Sequence, residues 1–127
     1  MPSGWTTEAR YSIADGKEVV VELLQADRRP SALLCGNDIL AVGAIHAARR
    51  LGIAVPDDLS IIGIGDFKGS KEMEPALTTI HLPARSIGKI AGEKLAQSIV
   101  QDDHQIQRIN CAISLAARQT CIPKQAV

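Results

Sequence analysis

Apolar residues recur along the chain in two rhythms, and their alternation predicts its elements. Over residues 12–25, Ile13, Val20, Val21 and Leu24 recur at helical spacing, with Ser12 and Asp15 set as a capping pair at the start. A polar break, Asp27-Arg28-Arg29-Pro30, precedes Ala32-Leu33-Leu34-Cys35, which reads as a short buried strand over 31–35. Gly36-Asn37-Asp38 is a turn and helix start, because the side-chain oxygen of Asn37 or Asp38 can accept an orphan backbone N–H. The helix that follows runs to about Leu51 and stops at Gly52. With Ile39, Leu40, Val42, Ile45 and several alanines it is apolar round most of its circumference, the mark of a buried or interfacial helix. Residues 59–64, Leu-Ser-Ile-Ile-Gly-Ile, have the character of a strand buried in a parallel sheet. A charged loop fills 65–75 and a short strand 78–81. Pro83 suits the first turn of a helix over 84–100. Ile87, Ile90, Ala91, Leu95 and Ile99 line one side of that helix, and Arg85, Lys89, Glu93 and Gln97 the other. Alternation at Cys111, Ile113 and Leu115 predicts a strand over 106–115, and the chain after Thr120 reads as a frayed tail.

Strands alternating with helices imply an α/β fold with a mainly parallel sheet flanked by helices. Ligands of such sheets bind outside the carboxyl ends of the strands. That rule singles out two turns, Gly36-Asn37-Asp38 and Gly65-Asp66-Phe67.

Composition narrows the function classes. The 127 residues carry 14 Lys+Arg against 14 Asp+Glu, so the surplus of positive charge that phosphate binding needs is missing. At 46% hydrophobic residues the chain is not a disordered tail, and no apolar run approaches the ~20 residues that span a bilayer. The expectation is no membrane association, and the start Met-Pro-Ser-Gly-Trp shows no secretory signal. Cys35, Cys111 and Cys121 are odd in number and lack metal-ligand spacing, which fits a reducing, cytoplasmic setting. Trp5, Tyr11 and Phe67 are the whole aromatic inventory, so the core is built from aliphatic side chains.

Asn37 offers a donor and an acceptor, and Asp38 and Asp66 offer carboxylates, a set that suits a polyhydroxylated ligand. The commoner use of such residues is capping helices and turns. Gly63-Ile64-Gly65 with Gly69 only faintly follows a dinucleotide loop, since acidic Glu72 and Glu74 stand where a phosphate-binding helix should start. A nucleophile–base set of Cys35, His46 and Asp66 needs an exposed Cys35, which a strand end disfavours. His81 and His104 have no nearby ligand pattern. The expectation is no enzyme, no metal and no cofactor.

Several segments resemble the lactose/galactose repressor (LacI/GalR) family: Pro30-Ser31-Ala32-Leu33-Leu34-Cys35-Gly36-Asn37-Asp38-Ile39-Leu40-Ala41-Val42-Gly43-Ala44, then Leu51-Gly52-Ile53-Ala54-Val55-Pro56-Asp57-Asp58-Leu59-Ser60-Ile61-Ile62-Gly63, then Pro75-Ala76-Leu77-Thr78-Thr79-Ile80. Ile87-Gly88 and the closing Arg118-Gln119-Thr120 continue the likeness, which covers roughly residues 11–120. The resemblance implies an incomplete type I periplasmic-binding-protein-like fold, mainly its C-terminal lobe. It places residues 1–79 in that lobe, 80–105 in a crossover with a helix of the other lobe, 106–120 in a return strand and 121–127 in a tail. The family's DNA-binding headpiece is absent, so DNA would be reached only through that missing part. The implied function is effector sensing and dimerisation within a transcriptional regulator. The alternative is a solute-binding component of a sugar transporter, which shares the architecture.

Carried over by position, the resemblance makes Asn37, Tyr11 and Asp66 effector-binding residues. The family often has an aspartate where this chain has Gly65, one residue before Asp66. Gly63-Ile64-Gly65-Asp66-Phe67 is similar to gluconate-type repressors, so the implied ligand is a sugar or a sugar acid. It would be bound weakly or not at all by this chain alone, because the family's cleft needs both lobes. A homodimer or higher oligomer is implied through Ile39, Val42, His46, Lys68 and Met73. The helix over 84–100 would lack its native cover and is expected to fold back or to exchange with another copy.

Overall fold

The computed structural model describes residues 6–102 and 105–123; Trp5, His104 and the end of the expected tail, 124–127, lie outside them. Seven elements follow in the expected order: α1 (Ile13–Gln25), β1 (Ala32–Leu34), α2 (Asp38–Arg50), β2 (Ser60–Gly65), β3 (Thr78–His81), α3 (Ala84–Gln101) and β4 (Ser114–Ala116). The sheet order is β1-β2-β3-β4. The first three strands are parallel, with Leu33 opposite Ile61 and Ile64 opposite Ile80. β4 returns antiparallel, with Leu115 opposite Ile80.

Local chemistry sets the helix starts. Ser12 Oγ accepts from the Asp15 N–H at 3.0 Å and also bonds the Asp15 carboxylate. Asn37 Oδ1 accepts from the Leu40 N–H at 2.8 Å. Each cap satisfies a donor that has no partner within its helix. At the other end of α2, Arg49 and Arg50 face the negative end of the helix dipole, and Gly52 takes the left-handed φ of 68° that stops the helix.

α2 lies between α1 and the sheet, and this intrachain packing accounts for its apolar circumference. Ala41, Ala44, Ala47 and Ala48 have no exposed surface. Close approach to α1 depends on Gly43, since a Cβ there would stand 2.6 Å from Ile13 O and 2.8 Å from Lys17 N. Val20 and Leu24 of α1, Ile45 of α2, Ile61 of β2 and Leu77 before β3 complete the core.

Two expectations are corrected. The strand over 106–115 shrinks to Ser114–Ala116, because β3 offers a ladder only as far as the pair His81–Ser114. Of the two outcomes expected for the helix over 84–100, folding back on the core is not seen, and the surface that exchange with another copy would cover stays open. α3 has no buried residue, and Leu95 and Ile99 are 64% and 73% exposed. The chain leaves the sheet at Pro83, and among the described residues no strand or other helix packs closely on that stripe. Residues 105–111 instead run beside α3 and frame a cavity of about 320 Å³ lined by Ile87, Ile90, Lys94, Ile109 and Cys111. The sheet face opposite α1 and α2 is also open, with Leu34 71% exposed. No helix among the described residues is long and apolar enough to cross a membrane.

Candidate functional site

Because β1, β2 and β3 are parallel, Gly36-Asn37-Asp38, Gly65-Asp66-Phe67 and His81 meet at one end of the sheet, at the carboxyl ends of the strands. α1 and α2 start at the same end, Gly16 facing Leu40, so Tyr11 enters there with its ring exposed. Asn37 is 8% exposed. While its oxygen caps α2, its Nδ2 is buried and meets no acceptor among the described residues. A buried donor without a partner is costly, which makes this amide stand out.

Asp38 turns inward. It is 3% exposed, with Oδ2 accepting from the Phe67 N–H at 2.9 Å and Oδ1 from the Thr79 hydroxyl at 2.5 Å. Gly63 makes room for it, since a Cβ there would lie 2.2 Å from Asp38 Oδ1. Asp38 thereby ties the first turn to the second and to β3.

Asp66 takes a left-handed φ of 55°. Its Oδ1 accepts from Arg118 Nη2 at 2.6 Å and Ser70 Oγ at 2.9 Å, and its Oδ2 pairs with His81 Nδ1 at 3.0 Å. The hydrogen-bonded Arg118 guanidinium, helped by Ser70 and His81, outweighs desolvation and holds the carboxyl below the usual aspartate range. Arg118 also donates to the Leu77 carbonyl and to Ser70 Oγ. Thr120 continues this staple, accepting from the Thr78 N–H and donating to the Ile61 carbonyl.

The residues singled out in the sequence are thus only partly gathered. Tyr11, Asn37 and Asp66 share one end of the sheet, but the Asp66 carboxylate is engaged by neighbours of its own chain. Val42 is 8% exposed and covered within the chain, so it offers little surface to a second subunit. Ile39 and Met73 are half-buried, and His46 and Lys68 are exposed. Cys35 is buried, and desolvation with the nearby Asp38 charge pushes its thiol up to about 11, which disables it as a nucleophile. His46 and Asp66 do not join it. No group of three His, Cys, Asp or Glu among the described residues could hold a metal. The residue that sequence reasoning missed is His81. Its carboxylate partner lies 15 positions away, beyond any local spacing rule.

Comparison with known proteins matches residues 2–121 to the model of the periplasmic binding protein-like domain. The chain is 35% identical over 120 residues to the HTH-type transcriptional repressor PurR of Klebsiella pneumoniae, covering 94% of this chain and 35% of that protein. It therefore spans about a third of the length of the curated relatives it matches. Among solved structures, the Lac repressor dimer bound to operator and the anti-inducer ONPF matches at 29% identity and a TM-score of 0.84, over 91% of this chain and 40% of that one. A LacI family transcriptional regulator from Lactobacillus casei with bound sucrose matches at 27% identity and a TM-score of 0.74, over 86% and 40%.

Proposed function

The chain belongs to the periplasmic binding protein-like domain family, in its LacI/GalR group, and from that premise we propose that it senses a small effector as part of a transcriptional regulator. The observation that carries this reading is the buried Nδ2 of Asn37, without a partner among the described residues, beside the Asp66 turn at one end of the parallel sheet. A ligand oxygen there would satisfy the amide. The ligand is a sugar or sugar acid, a class supported by the sucrose bound to the Lactobacillus casei regulator. Tyr11 supplies an aromatic face for its C–H groups. Asn37 supplies the polar contact, and Asp66 organises the second tip.

Residues 1–79 form most of one lobe, 80–105 cross over with α3 to the opposing lobe, 106–120 return, and 121–127 are the tail. The exposed apolar stripe of α3 and the open sheet face support that division. Ligand closure of two lobes shifts the population of regulator conformations. A second subunit packs against Ile39, His46, Lys68 and Met73, with Val42 behind them. DNA is reached only through a headpiece that these residues do not contain, and the setting is cytoplasmic. The relatives are transcriptional repressors, not enzymes, and they do not favour the transporter reading. The genomic sequence preceding Met1 tests the proposal. A helix-turn-helix segment in frame supports it, and a signal peptide overturns it in favour of a transporter component.

A further inference from the structure

Both acidic side chains at the candidate site are already committed within the chain. Each of their four oxygens holds a donor: Thr79 and the Phe67 N–H on Asp38, Arg118 with Ser70 and His81 on Asp66. Asp38 is buried and Asp66 takes three donors from its own chain, which leaves little of either carboxylate to a ligand. The member of this network that faces outward is His81, whose side chain is 48% exposed. It is the last residue of β3, and its register partner on β2 is Gly65, which has no side chain to cover it.

The chemistry of the pair fixes what the ring presents. An ionised carboxylate only accepts, so the contact with Asp66 Oδ2 requires the proton to sit on Nδ1. In the neutral ring that tautomer leaves the bare lone pair on Nε2, an acceptor. On the first tip, Asn37 Nδ2 is the complement, a donor without an acceptor among the described residues. One end of the sheet therefore offers one donor and one acceptor, a combination matched by ligand hydroxyls, which both give and take hydrogen bonds.

We infer that His81 is a specificity-determining residue of the effector site, taking a hydrogen bond from a ligand hydroxyl at Nε2, and that Asp66 is a positioning residue acting through it. This rests on the effector-site reading and sharpens it. The ligand places a hydroxyl at this tip, and a sugar acid turns its carboxylate elsewhere, away from the Nε2 lone pair.

The test uses the ¹⁵N-labelled 127-residue chain and long-range ¹H–¹⁵N spectra of its imidazoles, in buffer alkaline enough for free imidazole to be neutral. His81 is expected as the Nδ1–H tautomer, and sucrose and D-gluconate, dosed to their solubility limits, are expected to move its Nε2 signal. In Asp66→Asn the amide can donate to Nδ1, and the ring is expected to shift toward the Nε2–H tautomer. His81→Ala, at a half-exposed position, is expected to weaken the sugar response at Asn37 about 3- to 10-fold, the effect of one neutral hydrogen bond. An Nε2–H tautomer in the unaltered chain overturns the inference with no ligand needed. A sugar that moves the Asn37 amide but not the His81 ring overturns it and leaves the sugar reading standing. The tautomer arms decide the inference without any ligand, since a chain with one lobe of the cleft is expected to answer sugars only weakly.

Discussion

Asp38→Ala removes the contact that holds the two tips in register, and its cost can be worked out donor by donor. The Thr79 hydroxyl loses its acceptor inside a residue with no exposed surface. A buried donor left unsatisfied costs about 1–3 kcal/mol. The Phe67 N–H, only partly buried, loses its acceptor too, at the low end of the same range, about 1 kcal/mol. A carboxylate in the first turn of α2 also favours the helix dipole by about 0.3–1 kcal/mol. The sum is about 2–5 kcal/mol, against a total of roughly 5–15 kcal/mol for a typical domain. Asp38→Asn keeps one acceptor and sets an amide N–H against a second donor, so it falls in between, at about 1–2 kcal/mol. Urea unfolding followed by far-ultraviolet circular dichroism measures both. The order unaltered chain, then Asp38→Asn, then Asp38→Ala is expected. If Asp38→Ala lies within about 1 kcal/mol of the unaltered chain, the side chain is not the lock described.

Three further outcomes are expected. Gly43→Ala drives a methyl into the backbone of α1, 2.6 Å from Ile13 O, and overpacking of about 1–3 kcal/mol outweighs the ~1 kcal/mol gained in helix propensity. Gly88→Ala in α3, with open space at its Cβ, keeps that gain, so urea midpoints below and at or above the unaltered value check the pair. Asp66 has a folded pKa lowered by Arg118, so its stabilisation is complete above the unfolded aspartate value near ~3.9 and is lost as pH falls through the lower folded value. The stability difference between the unaltered chain and Asp66→Asn is therefore expected to narrow in acid, and a difference that widens there contradicts the assignment. Cys35, buried and with its thiol pushed up to about 11, is expected to react with an aromatic disulfide far more slowly than Cys111 and Cys121. Equal rates in the folded chain would show that its burial is wrong.

The elements that carry their own signals were legible in the sequence. Ser12 and Asn37 cap the helices they were expected to cap, and the apolar run at β2 forms the strand between two parallel neighbours. What failed was whatever depended on partners distant in sequence. Cys111 and Ile113 alternate like a strand, but β3 is too short to pair with them. The stripe of α3 has helical spacing, yet spacing cannot say which surface will meet it. At the site, Asn37 was visible through its turn, whereas the role of Asp66 depends on Arg118, 52 positions away, and on His81. A carboxylate offered by the sequence to a ligand proved to be consumed by two side chains that no local pattern connects to it.

The central claim is that the tips at 36–38 and 65–67, with His81, form one side of a sugar-binding cleft. Residue-by-residue mapping of backbone amide shifts during a sucrose or D-gluconate titration tests it most directly. Shifts concentrated at those three segments are the result expected. Shifts gathered instead around the α3 cavity at Ile87, Ile109 and Cys111 would contradict it.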